Sequence, residues 1–159
     1  MKKIKSLLAI SICLISLACF TGCGKNKTAI SADEFCEKLE NKGYLIEDST
    51  SQYDSYEQIN ESYIALSDDY EYQIEFIVLD SESDASSMYS YNKEKFELAK
   101  EDSDIQSHSE VNLANYSKYE LSVNGTYKIL SRIDNTLIYI DTNSEFKEEI
   151  KEILDDLGY

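Results

Sequence analysis

The side chains best suited to nucleophilic or zinc chemistry are scarce in this 159-residue sequence, which has four cysteines and one histidine. A cysteine and a histidine can form a nucleophile–base pair, and a zinc site needs three or four ligands, usually in close spacings. Cys36 adjoins an apolar position of a predicted helix, and His108 lies in the polar stretch DIQSHSE. Free cysteines are among the most buried residues. We therefore expect a buried Cys36 thiol and a solvated His108, with no catalytic residue, metal site or cofactor.

Carboxylates are abundant but uninformative about catalysis, because a suitably spaced pair can always be found among 31 acidic residues. The stretches DSESD at 80–84 and DTNSE at 141–145 are more specific, since they place oxygen side chains at alternate positions. Calcium prefers oxygen ligands, yet neither stretch has the glycine at the sixth position of an EF-hand loop. Both stretches lead into predicted helices, where Ser81 and Thr142 can act as N-caps. We interpret both as helix starts and keep cation binding as an alternative.

Tyrosine is the residue type in excess, with 13 tyrosines against five phenylalanines and no tryptophan. Several fall in alternating strands, where tyrosine suits half-buried positions. Tyr53, Tyr56 and Tyr63 instead fall in a polar, irregular segment. Because tyrosine is favoured at interfaces, we predict these three residues as contacts with a protein partner or a cell-wall glycan.

Three helices are predicted to position these residues. Ser31 and Glu34 form a capping-box pattern that begins the first helix, which ends at Gly43. A second helix is predicted from about Asp84 to Lys100, and a third steps through apolar residues from Phe146 to Leu157. The first and third helices share the ending Leu-x-x-x-Gly-Tyr, which glycine-cap chemistry explains more simply than an internal duplication does.

Between the helices the apolar period changes to two, which predicts strands. The strongest signal is the NG pair at 124–125, typical of a type I′ turn, and the DN pair at 134–135 predicts a second turn. Segments on either side of the DD pair at 68–69 form another predicted hairpin, and a short strand is expected near 44–47. The predicted fold is therefore α+β, with an antiparallel sheet of five to six strands and about three helices packed mainly on one face.

The N-terminal region has the pattern of a secretory signal peptide, with three lysines in MKKIK followed by an uncharged apolar run. The run from Ser6 to Phe20 covers 15 residues, fewer than the roughly 20 that span a bilayer as a helix. The following FTGC resembles a bacterial lipobox, which implies lipidation of Cys23 and cleavage before it. We therefore divide the chain into a signal peptide at 1–22, a lipidated cysteine with a short linker at 23–30, and a single domain at 31–159.

Without the signal peptide the chain keeps 12 basic and 31 acidic residues, a formal net charge of −19. Such a chain is not expected to bind nucleic acid, whose phosphates need basic surfaces. Residues 31–110 hold 22 acidic and five basic residues, so most of the negative charge lies in this half. Lys25 and Lys27 follow Cys23 and would be attracted to anionic lipid head groups. We expect the linker to lie along the membrane and the acidic half to point away from it.

The lipobox, the small acidic domain and the closing pattern RIDNTLIYID followed by EEIKEILDDLGY resemble a group of small lipoproteins of Gram-positive bacteria. The resemblance implies a lipid-anchored protein on the extracytoplasmic side of the cell membrane, and it adds no catalytic residue. We therefore expect a non-enzymatic domain that binds a basic or neutral protein partner or supports an envelope assembly. The alternative is a module that binds cell-wall glycan or cations.

Overall fold

The computed structural model describes residues 26–100 and 105–159. The predicted signal peptide, the lipidation site Cys23 and the neighbouring Lys25 lie outside the described residues. Within the described ranges, no helix is both long enough and apolar enough to cross a membrane.

Three helices and seven strands are found in the described residues. The helices are α1 (Ala32–Glu40), α2 (Glu82–Leu98) and α3 (Lys147–Leu157). The strands are β1 (Leu45–Asp48), β2 (Ile59–Leu66), β3 (Gln73–Leu79), β4 (Ile105–Asn112), β5 (Tyr116–Val123), β6 (Thr126–Ile133) and β7 (Thr136–Asn143). Short 3-10 turns at Thr50–Tyr53 and Ser144–Phe146 precede β2 and α3.

All seven described strands form one antiparallel sheet in the order β1-β2-β3-β7-β6-β5-β4. The predicted α+β class with an antiparallel sheet is therefore confirmed, and the sheet is larger than the five to six strands expected. The connection from β3 to β4 contains α2 and leads from the middle of the sheet to its edge. β3 therefore pairs with β7, a strand that is distant from it in sequence.

The strand that the sequence analysis did not predict is β4, which forms one edge of the sheet. It contains most of DIQSHSE, interpreted above as a polar loop, and it pairs with β5 along its length. The side chains from Ser107 to Asn112 are all exposed. A strand with this environment needs no alternating apolar residues, and the period-two criterion therefore missed it.

Alternating side chains build a core on each face of the sheet. α1 and α3 cover one face, where they pack on residues such as Phe76 and Ile138. α2 covers the other face and packs on residues such as Ile77 and Leu137. Two of the three described helices thus share a face, and the other face carries a second apolar core that α2 covers.

The N-terminal ends of α1 and α2 follow the predicted capping chemistry. The Ser31 hydroxyl oxygen accepts a hydrogen bond from the Glu34 amide at 3.1 Å, and the Ser81 oxygen accepts one from the Asp84 amide at 3.2 Å. The corresponding expectation for Thr142 is wrong, because this residue is buried in β7. The 3-10 turn at Ser144–Phe146 separates β7 from α3, so Thr142 belongs to the strand and lies too far from the helix to cap it.

The shared endings of α1 and α3 are two copies of one hydrogen-bond pattern. Gly43 and Gly158 adopt positive φ angles of 93° and 85°, where glycine has no Cβ penalty. The amide that follows each glycine donates to the carbonyl of the leucine five residues earlier, at 3.0 Å in α1 and 2.8 Å in α3. This is the Schellman motif, so local capping chemistry is sufficient to explain the repeated sequence.

The turn between β5 and β6 has the conformation that its sequence predicts. Asn124 and Gly125 have positive φ angles of 49° and 79°, as a type I′ hairpin turn requires. The predicted turn between β6 and β7 also begins with a positive φ angle, 49° at Asp134. Turn chemistry therefore sets the register of the three-stranded meander from β5 to β7.

Lys27, assigned above to the linker, is held by the folded domain. Its amino group donates a hydrogen bond to the carbonyl of Gly158 at 2.9 Å and lies 4.2 Å from the centre of the Tyr116 ring. Its carbonyl accepts a hydrogen bond from the side-chain amide of Asn115 at 2.7 Å. Burial and then the nearby charge of Lys118 lower the pKa of the Lys27 amine. This lysine is therefore held against the domain surface and is not part of a free linker.

Candidate ligand-binding cleft

A cleft of about 690 Å³ lies between α2 and the segment at 50–58, over a part of the sheet that neither of them covers. Its volume falls in the range of roughly 300–1,000 Å³ that is typical of ligand pockets. Its floor comes from β2, β3 and β7, through Ile59, Glu75, Ile77, Leu137 and Tyr139. The floor is therefore part apolar and part polar.

The two walls of the cleft come from separate segments of the chain. One wall consists of Tyr53, Tyr56 and Gln58. The other consists of Asp84, Ser87, Met88, Tyr91 and Asn92 from α2. The α2 residues are spaced as one face of a helix. A neighbouring face of α2 carries the buried core residues Ala85, Tyr89 and Phe96. One face of α2 therefore packs in the core, and the neighbouring face lines the cleft.

The hydroxyl of Tyr53 donates a hydrogen bond to the carboxylate of Glu75 and so joins one wall to the floor. Burial raises the pKa of the Glu75 carboxyl, and the hydrogen bond from Tyr53 partly offsets this by stabilising the charged form. Burial, followed by the bond to Glu75, also raises the pKa of Tyr53. The pair thus places a partly desolvated acceptor at the bottom of the cleft.

Aromatic rings line both sides of the cleft mouth. The rings of Tyr53 and Tyr56 meet edge to face, with centroids 6.1 Å apart and planes at 66°. Tyr56 is 52% exposed and Tyr91, on the opposite wall, is 60% exposed. Exposed tyrosine rings that face a common space provide contact area at low cost in conformational entropy.

The structure brings together two of the three tyrosines predicted as contact residues. Tyr53 and Tyr56 line the cleft, whereas Tyr63 lies in β2 opposite Phe76 and packs against the core beneath α1 and α3. Tyr63 is therefore on the other face of the sheet, and its assignment to irregular structure is wrong. The alternation of β2 separates it from the cleft.

The cleft lining is acidic. Of the described residues that line it, Glu75 and Asp84 are acidic, and none is lysine, arginine or histidine. Asp84 also accepts a hydrogen bond from the Ser81 hydroxyl. Beside the cleft, the amino group of Lys95 lies 5.1 Å from the centre of the Tyr91 ring. The lining therefore favours neutral or positively charged groups over anions.

Cys36 and His108 lie on opposite faces of the sheet and do not form a catalytic pair. Cys36 is half-buried on α1, and burial, followed by the charges of Glu40 and Asp33, raises the pKa of its thiol. His108 is exposed on β4, with its ring centre 5.5 Å from that of Tyr119. Over 26–100 and 105–159, no group of three or more Cys, His, Asp or Glu side chains is placed to share a metal ion.

Sequence reasoning missed Glu75, Tyr91 and Tyr139 as cleft residues. Glu75 and Tyr139 are cross-strand partners on β3 and β7, and both alternate with core residues, so a period-two pattern alone placed them towards water. Tyr91 follows Met88 by three residues on α2. That spacing is a detectable signal, but its meaning depends on which face of the helix meets the sheet.

Comparison with known proteins leaves the family of this chain open. No protein-family model matches the chain, and no curated protein matches it. Among solved structures, the chain is similar to a GTP binding regulator from Thermotoga maritima, at 17% identity and a TM-score of 0.44. The match covers 78% of this chain and 84% of that one. A likeness at this level carries no argument about function.

Proposed function

We propose that this chain is a lipid-anchored, extracytoplasmic binding domain that holds its ligand or partner in the tyrosine-lined cleft and catalyses no reaction. The observation that carries the binding role is the cleft itself, in which Tyr53, Tyr56 and Tyr91 surround a partly buried carboxylate. The lipobox pattern at Cys23 supports the anchor. Lipid chains add about 0.8 kcal/mol of membrane affinity for each buried methylene group.

The charge of the chain supports a basic or neutral protein partner. Formal net charge is −16 over the whole sequence, and the acidic side chains of the cleft have the same sign. Complementary charge speeds association and excludes partners of like charge. A basic surface segment that inserts a side chain between the two tyrosine walls fits this arrangement.

Cell-wall glycan is a second candidate ligand, because sugar rings stack on exposed tyrosine rings and hydrogen-bond to polar side chains. Tyr56 and Tyr91 offer the rings, and Gln58 and Asn92 offer polar groups on the same two walls. Metal cations lack a comparable observation, since the described part of the chain holds no group of three or more suitable ligands.

The anchor and the cleft can be tested in one experiment on cells that make the full chain. We expect Cys23→Ser to move the protein from the membrane fraction to the medium or the soluble fraction, and to abolish incorporation of labelled palmitate. We expect Tyr56→Ala to leave the protein in the membrane but to lose the protein captured by mild crosslinking, or its retention on purified peptidoglycan.

The matched control is Tyr70→Asn, which removes another exposed tyrosine, from the β2–β3 turn. Tyr70 is 68% exposed and has a positive φ angle of 56°, a conformation that asparagine tolerates. Equal loss of capture in both variants would contradict a role for the cleft. Membrane retention of the Cys23→Ser variant would contradict the lipid anchor.

A further inference from the structure

We propose that the cleft recognises an alkylammonium group, held over the tyrosine rings and neutralised by the carboxylate of Glu75. This inference rests on the proposed binding function and narrows it to one ligand chemistry. It follows from three observations: the arrangement of the rings, the lack of a cationic partner for the half-buried Glu75 carboxylate among the described residues, and the charge of the lining.

The rings supply the first observation. Tyr53 and Tyr56 stand on one wall, Tyr91 on the other and Tyr139 on the floor, so aromatic surface borders the cleft on three sides. The face of an aromatic ring is electron-rich and attracts cations, most strongly where water is excluded. Several rings around one space therefore form the kind of cage that holds methylated or alkylated amines.

The second observation is that Glu75 lacks a cationic partner in the described part of the chain. Its carboxylate accepts a hydrogen bond from the neutral hydroxyl of Tyr53, and none of the ion pairs formed by described residues includes it. A carboxylate that is partly removed from water gains from a cationic partner, because desolvation of its charge is unfavourable. A ligand that brings a positive charge to the floor would supply the missing partner.

The third observation is that the described residues of the lining include no positively charged side chain. Glu75 and Asp84 are the charged residues of the lining, and both are acidic. A contact of the proposed kind, between an amine and a tyrosine ring, is present at the rim of the cleft. There the Lys95 amino group lies 5.1 Å from the centre of the Tyr91 ring. Lys95 is outside the cleft lining, so the space beside Glu75 remains open to a ligand's ammonium group.

The size of the cleft identifies the ammonium group as one part of a larger ligand. A volume of about 690 Å³ exceeds what a single trimethylammonium group fills, and the floor also offers apolar side chains such as Ile77 and Leu137. The ligand class is therefore an amine with an apolar or neutral body. Either a small molecule or a lysine side chain of a peptide satisfies this chemistry.

The deciding experiment compares two probes of equal shape and different charge, choline and 3,3-dimethyl-1-butanol. The full chain is purified in maltoside detergent, and each probe is titrated with ligand-observed NMR. We expect choline to bind about tenfold more tightly than its neutral analogue, since each cation–π contact is modest. A parallel titration uses Nα-acetyl-lysine N-methylamide, which keeps the charged side-chain amine of a peptide lysine. If the natural ligand is a peptide, this probe should bind at least as well as choline.

Two variants locate the effect. Glu75→Gln should reduce choline affinity to the level of the neutral analogue and leave the affinity for the neutral analogue unchanged. Glu61→Gln, which removes an equal charge from an exposed position of β2, should preserve the tenfold preference. Melting temperatures of both variants confirm that they are folded.

The outcomes separate this inference from the proposed function. Equal affinity for the two probes, or a preference that survives Glu75→Gln, overturns the alkylammonium assignment. If neither amine probe binds while Tyr56→Ala still abolishes capture of the partner, the assignment fails and the binding function stands. If the amine probes bind but Tyr56→Ala leaves capture unchanged, the binding site is real and the proposed role in partner capture is wrong.

Discussion

Glu75 shows how one residue can tie stability to ligand binding. Burial raises the pKa of its carboxyl from the ordinary value of 4.5, although Tyr53 stabilises the charged form by hydrogen bonding. The free protein therefore disfavours the ionised carboxylate. A ligand that carries positive charge would remove this penalty, so ionisation of Glu75 and occupation of the cleft favour each other.

A first prediction concerns the pH dependence of stability. Because the folded-state pKa of Glu75 is raised, the folded state binds its proton more tightly than the unfolded state does. The stability contributed by this residue is thus fully present below the unfolded pKa and is lost as pH rises through the folded pKa. The unfolding free energy of Glu75→Gln minus that of wild type should therefore increase as pH rises from about 4 to 8.

Urea unfolding across that pH range measures the difference. The matched control is Glu61→Gln, which makes the same change at an exposed position of β2. A difference between Glu75→Gln and wild type that is independent of pH would contradict the raised pKa.

Among single residues, sequence reasoning identified Tyr53 and Tyr56 but not Glu75. Tyrosines in a polar segment are unusual enough to be noticed by composition. A glutamate that alternates with Ile74 and Phe76 in β3 looks like an outward-facing residue, and only the position of α2 reveals the surroundings of Glu75. The chemistry of the site thus depends on packing between distant segments.

At the level of elements, the two Schellman endings differ in what their tyrosines do. Tyr159 is buried beneath α1 and α3, with its ring edge to face with Phe76 and its hydroxyl bonded to Thr136. Tyr44 is half-buried, and its hydroxyl forms a hydrogen bond with the hydroxyl of Tyr72. The same helix-end motif therefore places Tyr159 in the core and Tyr44 at the edge of the core.

A second prediction follows from this difference. Tyr159→Ala should lower the unfolding free energy by about 3–5 kcal/mol, because it leaves a large cavity in the core. Tyr44→Ala makes the same change at the matching helix end and should cost less, about 1 kcal/mol. Urea unfolding at neutral pH measures both. Equal losses in the two variants would contradict burial of the ring as the source of the difference.

The elements were predictable where local chemistry specifies them. Capping serines, glycine helix ends and the Asn124-Gly125 turn fixed the bounds of helices and the meander. The edge strand β4 was not predictable, because its exposed polar side chains carry no period. Thr142 is not a cap for a related reason, since a strand extends through polar residues where the neighbouring strand supplies hydrogen bonds.

At the scale of the whole molecule, the contacts of Lys27 limit how the domain can sit relative to the proposed anchor. Cys23 and Lys27 are four residues apart, so their Cα atoms are at most about 14 Å apart. Lys27 lies beside Asn115, which also hydrogen-bonds to Asp134 in the β6–β7 turn. With a lipid on Cys23, this end of the sheet is the end near the bilayer.

A third prediction is that the two ends of the sheet lie at different distances from the membrane. In vesicles containing the lipidated chain, a fluorophore on Ala114→Cys should be quenched by head-group quenchers far more than one on Asn143→Cys. Both positions are exposed, and strands of eight residues separate them by about 25 Å. A Cys36→Ser background prevents labelling of the native thiol.

Lys27→Ala supplies the control for this orientation. Without the contacts of the Lys27 amine to Gly158 and Tyr116, residues 26–30 should detach more readily, and the difference in quenching between the two labels should shrink. Equal quenching at both positions in the wild-type background would contradict a restrained orientation.

The contacts of Lys27 would also determine how far from the membrane the cleft meets its ligand. The amide of Leu79 donates to the carbonyl of Asn135, and Ile59 on the cleft floor pairs with Leu79, so the cleft begins at the end of the sheet that a lipid on Cys23 would hold near the bilayer. A binding site confined to a thin layer above a surface samples that layer at an effective concentration far above its average concentration in solution. An amine displayed in the same layer would then be captured efficiently by a site of only millimolar intrinsic affinity, and the same site would release it readily once either molecule left the surface.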